Sequence, residues 1–259
     1  MPEVTLGAPA FRAILTGAAE LVTAGGERIA LERKQALLLA YLSVEGPTPR
    51  GKLARLLWPD APEARARGNL RQRLAVLRKV VGADLVSDAS GVLSLSPQLR
   101  VAPTEPAGEA LLARFEYEDC DTASRWLEAQ REAQRSQQRA AMLAAIRAAV
   151  QAGRLDEAMR LADALLAADR ESEEAYRAQM EVMYLRGDTA AAIAVWDRCK
   201  DMLRQLYGVS PSPATRQLGE TILAACAAGD ASTSQTAGDA IPVTVLRPPR
   251  LIARQSLLH

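Results

Sequence analysis

Nine basic residues crowd the stretch from Thr48 to Val81: Arg50, Lys52, Arg55, Arg65, Arg67, Arg71, Arg73, Arg78 and Lys79. Only Asp60 and Glu63 oppose them, so the stretch nets +7 within a chain whose total is +1. Such a concentration is the electrostatic footprint of a polyanion partner. The residue types add a second chemistry. Arg pairs bidentately with the guanine edge in the major groove, and Asn or Gln pairs with the adenine edge. Asn69 and Gln72 stand among the arginines. On helical spacing, Leu70, Leu74, Leu77 and Val81 form one buried stripe. Arg65, Gln72, Lys79 and Gly68 fall opposite, with Asn69 and Ala75 beside them, while Arg67, Arg71 and Arg73 flank the stripe. The small Gly68 and Ala75 leave room for close approach to a groove. A merely solvated face interleaves Glu with Arg for i,i+4 pairing, yet no acid occurs between Glu63 and Asp84. The expectation is a helix over 61–81 that reads double-stranded DNA. Arg50, Lys52 and Arg55 of the preceding helix would then meet phosphates, which set register without reading sequence.

Other chemistries find no comparable support. The single histidine is the last residue, His259. No Ser or Cys nucleophile setting and no phosphate loop is present, so no enzyme activity and no cofactor are expected. Cys120, Cys199 and Cys226 lack metal-ligand spacing and read as packed thiols of a reducing cytosol, which points to a cytoplasmic protein. Glu116, Glu118, Asp119 and Asp121 could tempt a metal reading, but acids at a helix start are read as partners of its N-terminal dipole. No leader pattern opens the chain, and no apolar run approaches the ~18 residues that span a bilayer, so no membrane partner is expected.

The elements that must position the basic helix follow from periodicity. Phe11–Leu15, Glu20–Val22 and Arg28–Leu31 read as strands, as does Val4–Leu6, and Gly25-Gly26 marks a hairpin. Leu31–Ser43 turns helical, with Leu37, Leu38, Tyr41 and Leu42 on one face. Thr48-Pro49 reads as N-cap and first residue of a helix to Leu57, stopped by Trp58-Pro59-Asp60. Gly82 ends the basic helix. Asp84–Ser87 and Val92–Ser96 read as a hairpin around Ala89-Ser90-Gly91. Its tip holds no Arg or Lys, so it either completes the sheet or meets a phosphate through Ser90 or a backbone N–H. This order is an α+β winged helix-turn-helix over residues 1–102. From Thr104 to residue 227 the chain reads as all-α, with turns at Gly153-Arg-Leu-Asp156 and Gly187-Asp-Thr189. Their 34-residue spacing is that of a tetratricopeptide-like helix pair. A net −5 over 104–226 contrasts with the basic stretch. Residues 228–259 read as a flexible linker and the start of a further domain, as in a chain cut from something longer.

Three runs carry a resemblance: Arg33–Leu42, then Leu53-Ala-Arg-Leu-Leu-Trp-Pro-Asp60, then Ala64–Arg78 with its Asn69-Leu-Arg71. They resemble the OmpR-like winged helix of the antibiotic-pathway regulatory proteins (the SARP family). Phe115–Asp121, Trp126-Leu-Glu128, the Gly153 turn and Leu206–Pro211 are similar to the bacterial transcriptional activation domain that follows it there. The resemblance implies a transcription regulator, usually an activator, that binds promoter repeats as a homodimer or side-by-side pair. It implies a helical domain that contacts partners such as RNA polymerase. Larger members continue into an NTPase domain, whose approach Arg247–Gln255 resembles. A protein-interaction scaffold built on the helical repeats is the competing expectation.

Overall fold

The computed structural model describes residues 10–101 and 109–235, with side chains as far as Ala227. The strand expected at Val4–Leu6 and the further domain expected within 241–259 lie outside these residues. The chain divides into two compact units, 1–136 and 137–259.

In the first unit, alternation produces the strands. Phe11–Ile14 (β1), Glu20–Thr23 (β2) and Arg28–Ala30 (β3) pair antiparallel, and Leu99–Val101 (β7) joins β1 in parallel, giving the order β3-β2-β1-β7. Ala13 and Leu21 point into the core while Arg12 stays exposed, the period-two signature of a half-buried sheet. The following helix α1 (Arg33–Glu45) is buried over Gln35–Leu42, all round rather than on one face. An unbroken apolar centre has no polar face to turn outward. A capping box joins Glu32 and Gln35 at its start.

Helices α2 (Arg50–Leu57) and α3 (Glu63–Val81) form the helix-turn-helix. Thr48-Pro49 corrects the expected cap. The two residues form a short strand, β4, paired with Leu93 and Val92, and α2 starts at Arg50. Thr48 is buried and its hydroxyl donates to the Gly46 carbonyl, which removes it from capping duty. Pro49 has φ −57° and ψ 135°; its fixed φ suits helix or strand alike, and ψ decides for strand. The second sheet runs β4-β6-β5, with β5 at Val86–Ala89 and β6 at Val92–Leu95. The connecting loop is tighter than expected. Ser90 and Gly91 alone form it, both at positive φ (53° and 83°), so Ala89 joins the strand.

The region from Thr104 is not wholly helical, again a correction. Residues 109–120 run irregularly, and the first helix, α4, spans Asp121–Gln151. Leu111, Leu112, Phe115 and Tyr117 have no helical period because they serve the winged-helix core. Leu112 is fully buried and its N–H donates to the Leu15 carbonyl. The Tyr117 hydroxyl donates to the Arg33 carbonyl, and Trp126 Nε1 donates to Glu45 while its ring meets Tyr41. Asp119 is not a free dipole partner: it binds Arg33 at 2.7 Å and Lys34 at 3.2 Å. The Arg33 hydrogen bond draws its carboxyl from 3.8 down to about 2. A depressed folded-state value stabilises the fold above the ordinary carboxylate range, and the contribution is lost as pH falls towards 2. Asp119→Asn is therefore expected to flatten the acid-unfolding profile between about pH 4 and pH 2. The effect is modest because the side chain is 45% exposed.

The second unit takes α4 from Gln137 onward, then α5 (Leu155–Ala168), α6 (Glu173–Leu185), α7 (Thr189–Tyr207) and α8 (Pro213–Gln235). Successive helices pack on their neighbours. Gly153 and Gly187 both turn at positive φ (72° and 84°), and Ala158 and Ala192 are both fully buried, so the 34-residue spacing repeats in structure. At Gly219 the helices approach closely: a Cβ there would lie 2.7 Å from the Trp196 ring. The expected linker begins later than composition indicated: α8 continues to Gln235.

Candidate nucleic-acid interface

Helix α3 anchors through Ala66, Leu70 and Leu77, each buried, with Leu74 and Val81 partly so. This fixes its rotation and defines the outward face. Arg65, Gly68, Arg71, Gln72, Ala75 and Lys79 are exposed on it. Gly68 needs no space of its own, because a Cβ there would meet nothing within 4 Å. A glycine in a helix interior costs roughly 0.5–1 kcal/mol against alanine, and packing does not explain this one. Arg65, Arg71 and Lys79 on α3, and Arg55 on α2, make no ion pair or hydrogen bond among the described residues. They are cations available to an outside anion.

The other expected contacts are engaged within the protein. Arg67 pairs with Glu63 at 2.5 Å, and its guanidinium lies 3.6 Å from where a Gly51 Cβ would stand. Arg73, half-buried, pairs with Glu32. Arg50 pairs with Asp88 at 3.1 Å, and its Nε is buried without a hydrogen-bond partner. Lys52 sits 5.6 Å from the centre of the Tyr41 ring, and hydrogen bonding to the Tyr41 hydroxyl raises its pKa above the ordinary lysine value. Asn69 is half-buried, in a groove shared with Glu32, Trp58, Gln72, Arg73 and Val76. Thus the structure gathers Arg65, Arg71, Gln72 and Lys79 around Gly68 and Ala75, while Arg50, Arg67 and Arg73 are held by carboxylates. Glu32 and Asp88 escaped the sequence reading, because they come from outside the helix-turn-helix.

The hairpin β5–β6 lies beside α2: the Arg50 N–H donates to the Gly91 carbonyl. Asp88 accepts from the Gly91 N–H at 3.0 Å and so braces the turn as well as Arg50. Among the described residues, no group of three or more metal-ligating side chains occurs, and no helix is long and apolar enough to cross a membrane.

Residues 107–223 match the bacterial transcriptional activator domain. The chain is also 26% identical, over 86% of its length, to the regulatory protein AfsR of Streptomyces griseus. The chain is thus similar to SARP-type transcriptional regulators. It spans about a quarter of that curated relative, 26% of its length. Among solved structures, EmbR of Mycobacterium tuberculosis, determined in complex with a low-affinity phosphopeptide, superposes with a TM-score of 0.63. The match covers 87% of this chain and 71% of EmbR at 18% identity. The chain thus has an EmbR-like fold, a winged helix-turn-helix followed in sequence by a helical domain.

Proposed function

We propose that the chain is a cytoplasmic, sequence-specific DNA-binding regulator, working as an activator, that reads the major groove with α3. One observation carries the reading. The exposed face of α3 presents Arg65, Arg71, Gln72 and Lys79, unpaired, around the small Gly68 and Ala75. Arg65 and Gln72 are placed to meet base edges, and Lys79, Arg71 and Arg55 to meet phosphates. Two copies side by side would read two half-sites, as the symmetry of helix-turn-helix readers requires. The helical unit supplies protein contact, with RNA polymerase as the partner class. Leu206, Tyr207 and Val209, each more than half exposed, are the apolar residues it offers.

The test is a salt titration of binding to a duplex recovered by selection. The logarithm of affinity is expected to fall by about 0.9 for each phosphate neutralised. Arg65→Ala is expected to relax base preference at one position, costing about 1–3 kcal/mol there. Arg55→Ala is expected to weaken all duplexes alike. Equal affinity for selected and random duplexes at every salt concentration overturns the reading.

A further inference from the structure

Four carboxylates reach the arginines around the helix-turn-helix: Asp88 to Arg50, Glu63 to Arg67, Glu32 to Arg73 and Asp84 to Arg78. Such pairs contribute little to stability where they are exposed. Glu63 and Arg67 are 63% and 54% exposed, so folding gives little reason for that pair. Arg50 and Asp88 are less exposed, at 31% and 33%, and join two elements, α2 and the β5–β6 turn. The turn does not need the charge. Ser90 and Gly91 already adopt its positive φ values, and its Asp88 contact is one neutral-capable acceptor for the Gly91 N–H. An asparagine would provide the same acceptor.

We propose that Asp88 and Glu63 hold Arg50 and Arg67 back from DNA phosphates and so weaken binding to every duplex. The two arginines flank the start of α2: Arg50 is its first residue, and the Arg67 guanidinium lies against Gly51, the second. Each acid occupies a guanidinium that a phosphate oxygen would otherwise take. Binding therefore requires breaking these pairs, and that cost falls on every duplex, matched or not. A duplex that also satisfies the free face of α3 stays bound despite that cost, while others fall to weak affinity. The buried Nε of Arg50, without a partner, leaves the guanidinium incompletely satisfied by Asp88 alone, which keeps the pair exchangeable. The inference rests on the DNA reading and names the residues that limit its phosphate affinity.

The experiment compares the parent chain, Asp88→Asn and Glu63→Gln on a selected duplex and on a random duplex across a salt series. Asp88→Asn is expected to tighten binding to the selected and the random duplex alike, about five- to tenfold. Its salt slope is expected to steepen by about 0.9, one phosphate contact. Both gains should vanish in an Arg50→Ala background, which a merely structural role for Asp88 would not produce. Unchanged or weaker binding by a stably folded Asp88→Asn overturns the inference. Should its thermal midpoint fall, Glu63→Gln decides, since that exposed pair bears no turn. If the parent binds no duplex, the DNA reading fails. Retention on heparin then reads the masking by itself: later elution of Asp88→Asn upholds it, and co-elution overturns it.

Discussion

Gly68→Glu is expected to make the protein more stable and to abolish its DNA binding. The two effects share one cause. Position 68 is a solvent-facing helix interior with nothing within 4 Å of a Cβ. Replacing glycine by a good helix former there gains roughly 0.5–1 kcal/mol. Arg65 and Arg71, three residues away on either side, add favourable i,i+3 pairing. Against a duplex the same carboxylate meets phosphates and closes the gap that close approach requires. Like-charge juxtaposition at an interface costs several kcal/mol, so the affinity loss is expected to be at least about a hundredfold. A thermal melt and a fluorescence-anisotropy titration read the two effects separately. Gly68→Ala serves as the graded control, with the stability gain and a smaller affinity loss. Undiminished binding by Gly68→Glu would place the interface elsewhere.

Leu70→Ala carries the opposite expectation, two positions along the same helix. Leu70 is fully buried in the core that α3 shares with α1 and the sheet. Truncating it removes apolar contact and leaves a cavity, at a cost of about 3–5 kcal/mol. Total stability of a domain is only about 5–15 kcal/mol, so a urea midpoint is expected to fall sharply. Arg71→Ala beside it is expected to change stability by less than about 0.5 kcal/mol. Near-equal midpoints for the two variants would mean that α3 is not seated as described.

The helix-turn-helix was legible because period, stops and charge agreed at each residue. Leu70, Leu74 and Leu77 repeat with the helix, Trp58-Pro59-Asp60 interrupts it, and Gly82 closes it at φ 73°. The same local logic misplaced Thr48, whose hydroxyl and backbone are claimed by Gly46 and Leu93, partners visible only in three dimensions. It also failed over 109–120, where Leu112 and Tyr117 pack on a domain ended in sequence long before them. The long-range ion pairs were hidden for a related reason. Arg73 finds Glu32 across 41 residues and Arg33 finds Asp119 across 86, and no helical period reports such distances. The free face of α3 was read better than the arginines around it, because exposure follows from the buried stripe. Pairing follows from the tertiary fold.

The central claim is that the outward face of α3 reads base sequence. Selection from a random duplex pool, run in parallel with the parent and with Gln72→Ala, tests it most directly. The account predicts an enriched motif for the parent and a lost or altered preference at one base pair for Gln72→Ala, with the rest of the motif unchanged. A parent that enriches no motif, or two proteins that enrich the same motif with equal stringency, would contradict it.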